Sequence, residues 1–390
     1  MNIFFLVSTL FLIVSVSNGT LAPEQGKKSK KQEKVKKSGP VDKDAYQRSL
    51  VKRDIKVKDI LREAGLHSKD TKSRRFTAGD VLGYITPWNS EGYENANKFH
   101  GKFDMVSPVW FTIKSQDLLK ISTHDIQKQW LHDMKAADNE NHTVKIVPRI
   151  LFEGWSSDDI IELYSNIKKR DKLIKALCDL AQAYQFDGYV LEIWNQFIFS
   201  GIKKKLIISL INTIADGLRI KDLDIILAVP PQKGMDKELF PKKAFDLLAP
   251  HIRYFSLMTY DYSSVQNPGP NAPIDWIKTC VENLVPDSKD IKRAQILMGL
   301  NFYGYHYTST GGGAIINSQY LKLLENFKGK IQWDDKSNEH FFEVKHNEGG
   351  YVFFPTLYSI MSRLDLATEL KIGISVWELG QGLKYFFDLL

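Results

Sequence analysis

Short apolar runs alternate with amphipathic segments from Asp80 to the end of the chain. The runs are rich in branched apolar residues, as strands of a parallel sheet buried on both faces should be, and the segments between them have helical apolar spacing. There are eight runs, at Val81–Pro87, Met105–Ile113, Lys145–Phe152, Tyr189–Trp194, Asp224–Pro230, Tyr254–Tyr260, Ile296–Phe302 and Gly373–Trp377. The pattern therefore predicts an α/β fold in which residues 80–390 form a (β/α)8 TIM barrel.

The stretch between the seventh and eighth runs is longer than one helix can account for. It contains the segments Ile331–Trp333 and Glu343–Phe354, with turn residues at 347–350. We expect a small β-hairpin inserted after strand 7, followed by a helix at Leu357–Leu370.

The first 79 residues differ in character from the barrel. Ile3 to Val16 form an apolar stretch of signal-peptide length, and small residues suit cleavage near Gly19. Residues 1–19 are therefore predicted to be a signal peptide that directs the chain into the secretory pathway, for an extracellular or lysosomal destination. No second apolar run is long enough to predict a membrane span.

Residues 20–79 carry the basic excess of the chain. They hold 18 Lys and Arg against 8 Asp and Glu, whereas residues 80–390 hold 35 against 38. We expect a basic, largely flexible extension, disordered at Lys27–Lys37, with a short helix within Asp54–Ala64. Arg74-Arg75 could be a processing site or a plain basic turn. A solvated leader explains the charge without a nucleic-acid partner.

Asp187 to Ile193, with Trp194 directly after them, resemble the signature Asp-Gly-x-Asp-x-Asp-x-Glu of family 18 glycoside hydrolases, the chitinase family. The similarity is closest to the secreted chitinase-domain-containing subgroup. Further segments that match the family in order, each near the end of a predicted strand, are Gly83-Tyr84, Met258–Asp261, Met298–Gly304 and Ser375–Gly382. The resemblance covers roughly residues 80–385 and implies the same barrel fold.

The fourth strand departs from that signature at three positions. In the family they carry Asp, an Asp that orients the substrate acetamide, and the Glu that donates the proton; here they are Val190, Glu192 and Trp194. A period of two would place all three on one inward face. An indole cannot protonate a glycosidic oxygen, and Glu192 lies about 6–7 Å of strand rise from the donor position. We therefore expect no enzyme, but a lectin-like protein that binds N-acetylglucosamine-containing oligosaccharides without hydrolysis.

Aromatic and acidic residues near the predicted strand ends supply candidate sugar contacts, since indole and phenol faces stack on pyranose rings. The predicted saccharide-binding residues are Tyr84, Trp88, Trp110, Glu192, Trp194, Tyr260, Asp261 and Trp377. Two alternatives stay open. One is a weakly active glycosidase in which Glu192 is a displaced acid. The other is an interaction protein whose basic tail contacts a receptor or an acidic glycan.

The remaining chemistry is sparse. Cys178 and Cys280 fall in helices that are not neighbours, so we expect two free thiols and no disulfide. The absence of a Cys/His cluster with ligand spacing predicts no metal, and no cofactor is expected. Asn141-His142-Thr143 is an N-glycosylation sequon in a polar loop.

Overall fold

The computed structural model describes residues 38–115, 121–234, 238–345 and 349–390. Its strands are β1 (Gly39–Val41), β2 (Leu66–Ser68), β3 (Val81–Ile85), β4 (Met105–Pro108), β5 (Phe111–Lys114), β6 (Lys145–Ile146), β7 (Arg149–Glu153), β8 (Gly188–Glu192), β9 (Asp224–Val229), β10 (Tyr254–Leu257), β11 (Ile296–Asn301), β12 (Gly304–Thr308), β13 (Gly311–Ile315), β14 (Gln332–Asp334), β15 (Glu339–Val344), β16 (Gly350–Phe353) and β17 (Gly373–Trp377). Its α-helices are α1 (Val57–Glu63), α2 (Ser90–Lys98), α3 (Lys128–Ala137), α4 (Ser157–Ser165), α5 (Ile167–Tyr184), α6 (Trp194–Ile198), α7 (Lys204–Arg219), α8 (Lys242–Leu248), α9 (Ile274–Leu284), α10 (Asn317–Asn326) and α11 (Leu357–Leu370).

Ten parallel strand segments form the central sheet, in the order β5-β7-β8-β9-β10-β11-β17-β3-β4-β6. β4 and β5 are successive parts of one barrel strand, and so are β6 and β7. Because β4 pairs with β6 while β5 pairs with β7, the two ends of the sheet meet and the sheet closes. The predicted (β/α)8 barrel is thus confirmed, and each predicted run coincides with its barrel strand to within a few residues.

Side-chain alternation along the strands divides the apolar residues between two cores. On β8, Val190 lies inside the barrel, whereas Tyr189 and Leu191 face the helices. Burying one such side chain fully contributes roughly 1.5–3 kcal/mol. The helices bury one stripe against the sheet; in α7 the buried residues recur with helical spacing at Ile207, Leu210, Ile211, Ile214 and Leu218.

The insertion after strand 7 is larger than the expected hairpin. β12 to β16 form a five-stranded antiparallel sheet in the order β13-β12-β16-β15-β14, and Tyr320 of α10 stacks on Phe354 at a ring-centroid distance of 4.1 Å. The hairpin is present as the β15–β16 pair. The glycine-rich β13 is typical of a loop in sequence, yet Gly312 is needed there because a Cβ would lie 2.1 Å from the carbonyl oxygen of His306.

The segment before the barrel also differs from its expectation of flexibility. From residue 38 onward it packs on the barrel domain: β1 pairs in parallel with β2, and α1 lies within the range where a short helix is predicted. Leu50, Ile55, Ile60 and Phe76 are buried in the main core. The charged composition concealed these few apolar anchors. The predicted signal peptide and Lys27–Lys37 lie outside the described residues.

Basic residues of this segment form ion pairs rather than a solvated leader. Arg48 contacts Glu63 at 2.6 Å and Asp388 at 3.0 Å, and the Asp388 side chain is only 1% exposed. Arg74 pairs with Asp104 at 2.5 Å and Arg75 with Asp44 at 2.6 Å, so both residues of the dibasic pair hold the segment in place.

Cys178 on α5 and Cys280 on α9 are both free. Among the described residues, no helix combines the length and the apolar character that crossing a bilayer requires.

We predict that Arg48→Met destabilises the protein strongly. The substitution leaves the buried Asp388 carboxylate without its guanidinium partner, which costs about 3–5 kcal/mol of unfolding free energy. Urea denaturation followed by tryptophan fluorescence measures the loss. Arg53→Met is the matched control, because Arg53 pairs with Asp335 in an exposed bridge worth about 1 kcal/mol or less. Equal losses in the two variants would contradict the structural role of Arg48.

Candidate functional site

An ion pair lies at the mouth of the barrel. Glu192 is the last residue of β8 and Arg149 the first of β7, and Arg149 Nη1 lies 2.5 Å from Glu192 Oε2. Both side chains are largely buried. Glu192 follows the inward Val190 by two residues, so its side chain points to the same interior. Glu192 therefore lies on the inward face that alternation assigns to it, and Arg149 is its ion-pair partner.

A chain of hydroxyl groups crosses the barrel close to this ion pair. Tyr84 on β3 donates its hydroxyl proton to Ser256 Oγ at 2.9 Å, and Ser256 donates to Ser375 Oγ at 3.1 Å. Burial is the main cause that raises the pKa of Tyr84; Ser256 lowers it, the Glu192 charge raises it and the Arg149 charge lowers it. Tyr84 is therefore a neutral hydrogen-bond donor at pH 7.

Tyr260 and Asp261 follow the end of β10. Burial raises the pKa of Tyr260 well above its ordinary value, and electrostatic interactions with Tyr84, Asp261 and Glu192 raise it further. The phenol packs against the aromatic cluster that contains Tyr303 and Tyr305, as Trp377 does. Asp261 has a left-handed backbone (φ 60°), and its N–H donates to Asn271 Oδ1 at 2.6 Å. Its carboxylate accepts hydrogen bonds from the hydroxyls of Tyr303 and Tyr305, so it is fixed by residues at the start of the insertion.

Trp377, the last residue of β17, provides the aromatic surface of the mouth. Its ring lies 5.1 Å from that of Tyr84 and remains partly exposed. It also packs beside the aromatic cluster that Tyr303 and Tyr305 form in the insertion. Trp88 lies in the loop after β3 and is 43% exposed. Trp377 and Tyr84 are therefore brought together as predicted, with Tyr260 and Glu192 beside them.

Trp194 does not reach the mouth, contrary to the prediction. β8 ends at Glu192, Ile193 leaves the extended conformation (φ −118°, ψ −33°), and Trp194 begins α6. The indole is fully buried against Phe240 in the layer between barrel and helices, and its Nε1 donates to the Leu239 carbonyl at 3.2 Å. Period-two alternation holds only while the backbone is a strand, so it placed Glu192 correctly and Trp194 wrongly.

Trp110 is also misplaced by the prediction, and Trp155, which follows β7, is buried in the same layer. The Trp110 indole donates to the Tyr93 hydroxyl at 2.7 Å, and that of Trp155 donates to the Ile113 carbonyl at 2.9 Å. Both rings are buried in the outer core. They fill the space between strands and helices and have no surface to offer a sugar.

The first two residues of the Asp187–Trp194 motif stabilise the fold at the N-terminal end of β8, away from the mouth. The carboxylate of Asp187 accepts from Lys135 Nζ at 2.8 Å and from the Ile146 N–H at 2.7 Å. Gly188 is required by packing, because a Cβ would lie 2.0 Å from the Asp224 carbonyl oxygen. These residues position β8 and take no part in the mouth.

Glu378 follows Trp377 through a cis peptide bond and is fully buried. Its carboxyl accepts from Asn89 Nδ2 at 2.6 Å and from the Gly380 N–H at 3.2 Å. Burial raises the pKa of Glu378 to about 8, against the opposing effect of these donors. The group therefore supports the floor of the mouth from behind and does not contact ligand hydroxyls.

Arg149, Ser256 and Ser375 are site residues that the sequence analysis missed. Each is a polar residue within an otherwise apolar run. That interruption is the available signal, because a polar side chain inside a barrel needs a hydrogen-bonding partner. Among the described residues, no cluster of three His, Cys, Asp or Glu could hold a metal ion. Asn141 is exposed in the loop between α3 and β6.

Comparison with known proteins identifies relatives of this barrel. The family model described as glycosyl hydrolases family 18 matches residues 80–382. The spore cortex-lytic enzyme SleL of Bacillus megaterium QM B1551 has a similar structure (TM-score 0.66, 19% identity, covering 82% of this chain and 74% of that chain). So do a chitinase from Chromobacterium violaceum ATCC 12472 (0.66, 18%, 80% and 98%) and a GH18 chitinase from Cycas revoluta in complex with (GlcNAc)3 (0.65, 14%, 80% and 98%).

These comparisons contradict the expectation that the chain is not an enzyme. The matching family is one of glycosyl hydrolases, and the similar structures are those of chitinases and a cortex-lytic enzyme. Lost catalysis was inferred because Trp194 stands where the family carries its proton donor, and the structure places that indole in the outer core, away from the mouth. The carboxylate of β8 that reaches the mouth is Glu192. The subgroup inferred from the sequence stays a prediction.

We predict that Trp194→Glu unfolds or strongly destabilises the protein. A carboxylate at this fully buried position would have no cationic partner, which costs several kcal/mol. Denaturation curves compare it with Trp194→Phe, which keeps an aromatic ring against Phe240 and loses the bond to Leu239. A Trp194→Glu protein with the stability of the parent would show that residue 194 is solvent-accessible.

We predict a pH-dependent stability term from Glu378. Its pKa in the folded state is about 8, above the ordinary 4.5, so the folded state binds more protons than the unfolded state between these values. Stability from this group is therefore full below pH 4.5 and falls as pH rises toward 8, by at most about 1.4 kcal/mol per pH unit. Glu378→Gln should remove that slope in unfolding free energy measured from pH 5 to 8. The exposed Glu369→Gln is the control and should keep it.

Proposed function

Because the chain belongs to glycosyl hydrolase family 18, we propose that it binds oligosaccharides containing N-acetylglucosamine at the mouth of its barrel. The observation that carries the proposal is the grouping of Trp377, Tyr84 and Tyr260 beside the Glu192–Arg149 ion pair. An indole face suits the C–H face of a pyranose ring, and neutral phenols and charged groups suit its hydroxyls and acetamide.

The comparisons support this ligand class. The Cycas revoluta chitinase was crystallised with (GlcNAc)3, and a double mutant of that enzyme with (GlcNAc)4. At 14–15% identity, the similarity to these chitinases shows the fold alone. The ligand class proposed for this chain therefore rests on its own mouth residues. Trp88 is a further candidate contact because it is exposed beside the same strand ends. A receptor or acidic-glycan partner for the basic tail stays a prediction.

Hydrolysis with Glu192 as the acid is a second candidate function. The observation that favours it is the position of Glu192 at the C-terminal end of β8, where barrel enzymes carry catalytic residues. A general acid must lie within hydrogen-bond reach of the oxygen that it protonates, whereas Glu192 contacts Arg149 in this structure. A ligand that draws Arg149 onto one of its own oxygens would release Glu192 for proton transfer.

We predict that Trp377→Ala weakens binding of a GlcNAc tetramer at least about tenfold in isothermal titration, because the stacking surface is lost. Trp333→Ala is the matched control; that tryptophan packs against His340 in the insertion and should leave affinity unchanged. Tetramer binding that persists in Trp377→Ala would place the ligand elsewhere.

Reducing-end release that occurs in the parent and vanishes in Glu192→Gln would establish the second candidate.

A further inference from the structure

A groove opens on the rim of the barrel, outside the proposed sugar site. Its volume is about 490 Å³, within the range of roughly 300–1,000 Å³ typical of ligand pockets. α4 forms one wall, and the turn after α6 with the first turns of α7 forms the other. We refer to it as the rim groove, and its lining includes Ile161, Tyr164, Ile202, Lys203, Lys205 and Leu206.

Local structure keeps the groove open. Ser156 caps α4 with a reciprocal capping box, and Ser157 Oγ donates to the Ser200 carbonyl at 2.6 Å, which ties the two walls together. Gly201 adopts a left-handed conformation (φ 79°) in the turn between them. Ile202 and Leu206 pack on the main core from outside, so they form a fixed apolar floor.

Exposed apolar side chains line the rim groove or lie close to its lining residues in sequence. Ile161 is 46% exposed and Phe199 is 55% exposed, and Tyr164 and Ile167 are exposed as well. Of these, Ile161 and Tyr164 line the groove itself, so part of its lining is apolar surface open to solvent.

The charge of the groove is basic. Lys203 and Lys205 line the α7 wall and have no ion-pair partner among the residues that the structure describes. Glu162 on the opposite helix is neutralised by Lys169 at 2.7 Å. Two free ammonium groups beside an apolar floor are complementary to a molecule with an apolar body and one anionic end.

We propose that the rim groove binds an amphipathic anion with a single aliphatic chain. The chain lies along Ile161, Ile202 and Leu206, and the anionic group is held by Lys203 and Lys205. The site lies on the outer rim, between α4, which follows β7, and α7, which follows β8. It is therefore separate from the mouth and does not depend on the proposed function.

Titration of the full chain with decanoate, below its micelle-forming concentration, tests the proposal. We expect saturable binding that Lys203→Met/Lys205→Met weakens at least about tenfold, because two charge-assisted contacts are lost. Lys278→Met/Lys289→Met on the α9 side removes the same charge elsewhere and should leave affinity unchanged. Neutral 1-decanol should bind more weakly than decanoate to the parent and equally to parent and groove variant.

Two further variants keep the outcome decisive. Ser209→Phe adds a ring at the exposed edge of the groove and should weaken both ligands, whereas Trp377→Ala at the mouth should affect neither. Absence of saturable decanoate binding, or an equal loss in the control lysine variant, would overturn the proposal. Loss of decanoate binding in Trp377→Ala would also overturn it and would assign the ligand to the mouth.

Discussion

The division of every barrel strand between an inner and an outer core is the constraint on which the site depends. A closed parallel sheet has no free edge, so each side chain must fill either the interior or the layer beneath the helices. On β8 this rule places Val190 and Glu192 inside and Tyr189 and Leu191 outside. The rule ends where the extended backbone ends. The conformation of Ile193 therefore decides that the strand presents a carboxylate to the mouth and keeps the indole of Trp194 away from it.

The surroundings of Glu192 are set by the charged Arg149 and the apolar Val190. An isolated carboxylate inside a barrel would be costly, and the Arg149 guanidinium compensates for that cost at 2.5 Å. The deeper family position is Val190, so the interior beneath the pair is apolar and carries no second acid on this strand. A ligand that enters the mouth therefore meets one ion pair, the Asp261 carboxylate held by Tyr303 and Tyr305, and neutral phenols. Such a site can bind an uncharged sugar without having to separate several charges, and catalysis would require the pair to part.

The strands were predictable because their apolar runs are local signals, and the inward position of Glu192 followed from alternation. The end of β8 was not predictable, since no capping side chain marks the start of α6. Trp110 was assigned by its distance from a strand end, which does not specify a face. The segment from residue 38 to 79 was misjudged because its ion pairs, such as Arg48 with Asp388, join residues distant in sequence. The partners of Asp261 were hidden for the same reason.

The insertion contributes to the mouth by fixing Asp261. Tyr303 and Tyr305 hold its carboxylate, and Asn271 holds its backbone N–H. The backbone of Asn271 in turn donates to Glu339 at 2.9 Å, and Glu339 forms a buried ion pair with Arg363 of α11 at 3.1 Å. A continuous set of hydrogen bonds thus runs from α11, through the insertion, to the segment that follows β10. Because each member is held by the next, the polar groups on this side of the mouth are ordered before a ligand arrives. Ligand binding therefore does not have to offset the entropic cost of ordering them.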